Sequence, residues 1–379
     1  MDASSPQPLA DTTKPGRRED DCDISEEWTV ERPIRVLQAG LGGFGRGWAS
    51  IVRDAGGVEL VAVVDPADEA REWAVAELGM GQERVFGSLA EALSEIQCDA
   101  VLVITPPVTH REAVLEALGA GCHVLVEKPL ATTIGDAREL IVAAERANRL
   151  LVVSQNYRFR PPARAAREVI AGGALGELVA IRGRFARDTR TLWPPDNFRY
   201  AMRHPVVLDM SIHHADLLRM LTGRNVARVE ARSWRAPDSP YVHDPEVVAL
   251  MELDDGIPAV YEASWAARDE ETSWNADWEV IGELGRLRWS GGREDPFAGE
   301  VVLEEWGRRP RLLPLPDLPA IDRAGSLRAF LDAIAGGAPP ETPAADNIHS
   351  LAIVLACVRS IETGVPVELS DLLVSTGAE

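Results

Sequence analysis

The chain has 379 residues, enough for two packed domains at roughly 150 residues each, and its 46% hydrophobic and 26% charged composition is that of a globular protein. Sixty Asp and Glu against 39 Lys and Arg leave a formal net charge of -21, which argues against nucleic acid or an anionic membrane surface as a partner. The four cysteines (Cys22, Cys98, Cys122 and Cys357) form no CxxC pair, so neither a zinc knuckle nor a disulfide framework is indicated. A reducing, cytoplasmic setting is expected. The longest unbroken apolar run, 351–358, is eight residues, far short of the ~20 that a bilayer span needs.

Residues 1–33 hold nine acids, four bases and four prolines with hardly any apolar periodicity, and read as a solvated, disordered tail. Arg17 and Arg18 are followed by Glu19, Asp20 and Asp21 rather than an apolar stretch, so no export signal is expected there. From Ile34 onward, β-branched runs alternate with helical stretches. IRVLQA leads to a helix through Trp48 and Ile51; VELVAVVD to one over 68–78; then come RVF, a third helix, AVLVIT, a helix over 109–120, HVLVE, a helix over 133–148, and LLVVS. Strands this apolar are buried on both faces, which predicts a parallel sheet covered by helices. Ser88 with Glu91 and Thr133 with Asp136 have the spacing of capping boxes.

After about residue 155 the pattern changes. A helix over 161–171 precedes the strand-like LVAIRGRFAR, a loop rich in Pro and aromatics, and a helix starting near Val207. VARVEARSW, VVALMEL, AVYEASWA and DWEVIG then follow without intervening helices, as in an antiparallel or mixed sheet, and two helices near 327–334 and 347–363 close the chain. The expected division is 1–33 as tail, 34–155 as a doubly wound α/β dinucleotide-binding domain, and 156–379 as an α+β domain.

The first strand runs into GLGGFG, with Gly40, Gly42 and Gly45 in the GxGxxG pattern and Gly43 and Phe44 between them. Gly40 suits the tight turn, Gly42 the approach of a pyrophosphate, and Gly45 close packing of helix on strand. The amides at the start of the following helix would face the phosphates. Asp65 ends the second strand, where a carboxylate can accept the ribose hydroxyls of an adenosine. A 2'-phosphate would meet like charge there, with no base before Arg71, so NAD is favoured over NADP.

Ligands of open α/β sheets bind beyond the carboxyl ends of the strands, which directs attention to Thr105, Pro106 and His110 after the fourth strand and to Glu127 and Lys128 after the fifth. Lys128, leaving a buried strand beside a dinucleotide, could donate to a substrate oxygen; alone, it could as well be a solvated side chain. Asp209 and His213 are four apart on the predicted helix, which puts their Cβ atoms about 6 Å apart on one face. The carboxylate could orient the imidazole and raise its pKa, making a general base for an alcohol proton. Asp216 could serve in the same way. A surface pair, a buried structural His, or metal ligation by Asp209, His213 and Asp216 are the other readings of these residues. His214 points about 100° away from His213 and reads as structural or at most substrate-contacting. Tyr157, Arg158, Trp193, Asn197, Arg199 and Tyr200 offer the stacking faces and donors that a sugar needs.

GLGGFG, Asp65, TPPVTH and AGCHVLVEKPLATT, continued by QNYRFRP, DMSIHHAD, WEVIGELGRL and ETGVPVEL, resemble the Gfo/Idh/MocA oxidoreductases over nearly the whole chain from Ile34 to Leu369. The resemblance implies a Rossmann domain followed by a large open, mostly antiparallel sheet whose face commonly builds homodimers or homotetramers. It implies a cis peptide between Lys128 and Pro129, and a catalytic set of Lys128, Asp209 and His213. The implied reaction is NAD-dependent hydride transfer at a secondary hydroxyl of a sugar, inositol or related polyol, without metal. Relatives that exchange hydride between two sugars, cleave glycosides by transient oxidation, or only respond to NAD without catalysis are the alternatives. His204 and Pro205 stand where relatives often carry glycines, a departure at the substrate mouth.

Asp65→Ser combined with Pro66→Arg is expected to relax or reverse the preference for NAD, since the first change removes repulsion and the second supplies a phosphate partner. Titration of both coenzymes checks it, and a wild-type protein that binds NADP more tightly would overturn the reading of Asp65.

Overall fold

A computed structural model describes residues 32–190 and 192–374; all but the last two residues of the expected tail, with Cys22, lie outside the described residues. The first half runs β1 (Ile34–Ala39), α1 (Gly43–Asp54), β2 (Val58–Val64), α2 (Asp68–Glu77), β3 (Val85–Phe86), α3 (Leu89–Glu95), β4 (Ala100–Val103), α4 (Pro107–Gly119), β5 (His123–Glu127), α5 (Ile134–Ala147) and β6 (Leu151–Ser154). Its strands lie in the order β3-β2-β1-β4-β5-β6, and every pairing is parallel. All four residues of β4 are fully buried, as the unbroken apolar run requires. The Ser88 and Thr133 hydroxyls accept the amides of Glu91 (3.3 Å) and Asp136 (3.0 Å), so both predicted caps form. The order reverses between β1 and β4, which opens a crevice at the carboxyl ends of these strands.

A 3-10 turn at Asn156–Phe159 leads into the second half: α6 (Pro161–Ala171), β7 (Leu178–Ala186), a π-helical turn at Val206–Met210, α7 (Ser211–Thr222), β8 (Val226–Trp234), β9 (Glu246–Leu253), β10 (Pro258–Ser264), β11 (Asp277–Gly282), β12 (Gly285–Ser290), β13 (Glu300–Glu305), β14 (Arg311–Leu312), α8 (Asp322–Ile334), α9 (Ala344–Thr363), β15 (Val367–Glu368) and α10 (Leu369–Val374). Among the described residues these strands form a sheet in the order β14-β13-β12-β11-β7-β10-β9-β8-β15, antiparallel except where β7 meets β10. Along β9, Val247, Ala249, Met251 and Leu253 are buried while Val248, Leu250 and Glu252 are exposed, so one face carries the core and the other is open.

Three features depart from a simple reading of chain order. The helix expected from Val207 begins as a π turn, in which Ser211 N–H donates to the Val206 carbonyl five residues back. Helix α8 returns to the first half, where Leu327, Phe330 and Leu331 pack with Ile34, Val36, Trp48, Leu102 and Leu125 on one face of the parallel sheet. Cys98 and Cys122, 24 residues apart, are neighbours because β4 and β5 are; their sulfurs are 3.2 Å apart and both are free thiols. Helix α9 is apolar enough over 18 residues (mean hydropathy 1.3) to match a membrane span in length and composition, yet most of it is buried, against α7, α5 and β8.

Candidate active site

The glycine loop is shaped by close approach. Gly40 has φ +100°, and a Cβ there would come within 2.2 Å of the Ile104 carbonyl oxygen at the end of β4. A Cβ on Gly45 would come within 2.3 Å of the Gly40 oxygen, whereas Gly42 and Gly43 face open space. The Gln38 amide ties the turn by donating to the carbonyls of Gly40 (2.9 Å) and Gly45 (2.7 Å). The start of α1 has no side-chain cap and no acid in its first turn, so its amides stay available to an anion. This open cradle fits the pyrophosphate of a dinucleotide. Phe44 is exposed and stacks under the Arg323 guanidinium (4.9 Å).

The Asp65 carboxylate accepts amides from Leu41 (2.7 Å) and Ala67 (2.9 Å), which orients it across the loop and leaves a lone pair on each oxygen for ribose hydroxyls. Arg71 comes closer than its sequence distance suggests: it donates to the Asp65 carbonyl (2.7 Å). It is also bonded to Asp68.

Lys128 directly follows β5 and is joined to Pro129 by a cis peptide. Its ammonium crosses to the second half, donating to the backbone oxygen (2.8 Å) and Oδ1 (3.1 Å) of Asp209. One N–H is left over. Asp209 Oδ2 accepts from Arg199 Nε at 2.7 Å. Burial would raise the pKa of Asp209, but the charges and hydrogen bonds of Lys128 and Arg199 outweigh it and hold the carboxyl below its usual value.

Asp209 therefore does not orient His213, contrary to the pairing inferred from four-residue spacing. Asp209 lies in the π turn before α7, its two oxygens accept from Lys128 and Arg199, and no hydrogen bond joins it to His213 among the described residues. His213 instead stacks flat on Tyr157, with centroids 4.1 Å apart and planes at 8°. The opposite support of the Tyr157 ring is the Arg160 guanidinium, 3.3 Å from its centroid. Burial first, then Lys128, Arg160 and His214, push the His213 pKa well down rather than up, so its imidazole is neutral at pH 7. Its Nδ1 is buried without a partner among the described residues.

Several expected contacts are committed elsewhere. His214 is buried: Nε2 pairs with the Trp274 carbonyl (2.9 Å) and Nδ1 with the Tyr261 hydroxyl (2.6 Å), so it is a core residue and not a substrate contact. Arg158 is likewise removed from the site, held by Asp216 at 2.6 and 2.8 Å. Asp216 also accepts from Ser350 (2.9 Å), so it neither serves His213 nor joins a metal site with it. No group of three or more His, Cys, Asp or Glu able to hold a metal occurs among the described residues. Asn197 caps a short 3-10 turn by accepting the Arg199 amide (3.0 Å). His110 is fully buried between the carbonyls of Thr105 and Pro129 (2.8 Å each), which makes it a brace between the two strand-end loops. Glu127 accepts from Trp48 Nε1 (2.8 Å) and from its neighbour's amide (3.0 Å), and burial raises its pKa. Pro106 is exposed at the start of α4. Arg160 was not singled out in the sequence, although QNYRFRP contains it, and its partner Asp322 (2.8 Å) stands 162 residues away with no signal of its own.

The comparisons agree with this architecture. A family described as "Oxidoreductase family, NAD-binding Rossmann fold" matches residues 34–155, and the "GFO/IDH/MocA C-terminal domain" matches residues 163–288. The chain is 31% identical to a 1,5-anhydro-D-fructose reductase of Ensifer adhaerens, over 86% of this chain and 95% of that one. It is 26% identical to scyllo-inositol 2-dehydrogenase (NAD(+)) of Bacillus subtilis, covering 92% and 100%. An inositol dehydrogenase homolog of Azotobacter vinelandii, solved with NADH and myo-inositol, superposes with a TM-score of 0.76 at 23% identity, covering 89% and 98%.

Burial also pushes His214 down, to about 4. Below the ordinary histidine pKa of about 6.5 the unfolded chain binds protons that folded His213 and His214 resist. Their contribution is therefore complete above that pH and is lost on acidification, for His214 until about pH 4. His214→Gln is expected to remove on the order of 3 kcal/mol from the acid-induced loss over this window. Urea midpoints against pH measure it, and an acid dependence unchanged from wild type would overturn the assignment.

Proposed function

Since the chain belongs to the Gfo/Idh/MocA oxidoreductases, we propose that Lys128, Asp209 and His213 are its reaction centre for NAD-dependent oxidation or reduction at a secondary hydroxyl of a sugar, inositol or related polyol. The observation that carries the assignment is the Lys128 ammonium, which leaves the nucleotide-binding sheet and is anchored by Asp209 with one N–H to spare. That N–H holds and polarises the reacting oxygen in a partly buried site, where a charge-assisted hydrogen bond is strongest. Neutral His213 takes the hydroxyl proton in oxidation and returns it in reduction. Asp209 acts by positioning Lys128 and balancing its charge. NAD, when bound, supplies the hydride acceptor or donor. Gly40, Gly42, Gly43, Gly45 and the first amides of α1 would hold its pyrophosphate and Asp65 its ribose, with Thr105, Pro106 and Glu127 at the strand ends beside it.

The same reading includes a cytoplasmic homodimer or homotetramer built on the open sheet face, with the division of the chain at about residue 155. Leu250 on β9 lies directly opposite Val260 on β10, both exposed, flanked by Val248 and Glu262. Leu250→Arg is expected to yield monomers by light scattering, and a monomeric wild type would overturn the oligomer.

Lys128→Met should lower kcat by on the order of 100-fold or more, while NADH binding, read by fluorescence, persists. Near-wild-type turnover in that variant would remove Lys128 from the chemistry.

A further inference from the structure

Arg199 contributes one N–H to Asp209 and keeps the rest. Its guanidinium lies over the rings of Trp193 (5.0 Å) and Phe198 (4.6 Å), which hold its plane in place. Among the described residues nothing accepts from its Nη1 or Nη2, and the side chain is 28% exposed. A planar pair of N–H groups, pre-oriented and open to solvent, is the usual receptor for a carboxylate.

The charge balance points the same way. Lys128 and Arg199 are two cations on a single carboxylate, so this cluster retains a positive charge. Arg160, the next cation, is paired with Asp322, so those two charges cancel and leave the surplus on Lys128 and Arg199 unchanged. The geometry then sets a length. Lys128 Nζ and Arg199 Nε bond opposite oxygens of Asp209 at 3.1 and 2.7 Å, so they are no more than about 8 Å apart. That distance suits a substrate of a few carbons with its reacting hydroxyl on Lys128 and a second group on Arg199. A neutral polyol would leave the guanidinium to water, whereas a carboxylate there takes two N–H bonds and cancels the surplus charge.

Resting on the reaction centre of the preceding subsection, we propose that Arg199 is a specificity-determining residue that binds a carboxylate of the substrate, so that the preferred substrates are sugar acids rather than neutral sugars or polyols.

The test compares kcat/KM, with saturating NAD, for uronates and aldonates against the matching neutral sugars and polyols. Wild type should favour the acids by about tenfold or more, the range of a hydrogen bond to a charged group. Arg199→Met should bring the ratio of acid to neutral close to one, mainly through KM for the acid, and Arg199→Lys should restore part of it. Using the ratio cancels any loosening of Asp209 that affects both classes. Phe198→Ala, which removes a stacking ring but no charge, should raise KM for the acids several-fold and serves if the Arg199 variants fold poorly. A wild type that oxidises neutral polyols as well as their acids, or a ratio unmoved in the variants, overturns the role of Arg199 and leaves the reaction centre standing. Failure to turn over either class, with NADH still bound, overturns both.

Discussion

An ammonium group joins the two halves of the site. Lys128 directly follows β5, whose buried apolar residues fix where the chain emerges, and it is received by the backbone oxygen and carboxylate of Asp209 on the far side of the cleft. A charge withdrawn from water needs such a partner, and a partner without it would be equally costly. The local architecture follows from this pairing. The π turn supplies the reach that brings Asp209 to Lys128, Arg199 closes the carboxylate from the other side, and the neutral imidazole is left without a carboxylate of its own.

The imidazole is governed by what lies behind it. Arg160, held by Asp322 (2.8 Å) and Asn275 (2.6 Å), presses on one face of Tyr157 while His213 stacks on the same ring. The cation favours the electron-rich aromatic face, and its field disfavours a second cation beyond it. A histidine so placed has its protonation state set by the surroundings rather than by a hydrogen-bonded acid. Asp322 takes a left-handed backbone (φ +54°), uncommon outside glycine, at the start of α8. It accepts from Arg160 and from Asn156 (2.8 Å), so that costly conformation is used to hold the base of the stack.

The parts of the fold legible in the sequence were those written in local terms. Apolar runs marked β1 to β6 because strands buried on both faces cannot hide their composition, and Ser88 and Thr133 marked helix starts because a cap acts over three residues. Gly40 and Lys128 were legible for the same reason: each is tied to the end of one strand. The Asp209–His213 pairing misled because spacing translates into a shared face only while the helix is regular, and one π turn breaks that translation. Arg158 lies in the 3-10 turn and Arg160 just after it, at the start of α6, and the two point to different partners. Nothing in QNYRFRP says which one goes to Asp216 and which supports Tyr157. Those choices depend on Asp322, Ser350 and Asp216, brought together only by the complete fold.

Helix α8 gives this arrangement a further meaning. It covers Trp48, Leu102 and Leu125 of the nucleotide-binding sheet with Leu327, Phe330 and Leu331, while its first residue holds Arg160 behind the imidazole stack. The nucleotide-binding half is thus not a detachable cassette. Cut out as residues 34–155, it would carry a bare apolar flank where α8 belongs, and a recombinant exchange of either half between relatives would have to move 322–334 with the sheet it shields while preserving Asp322 for the half it serves. The helix serves both halves at once, so neither half keeps its full set of contacts without it.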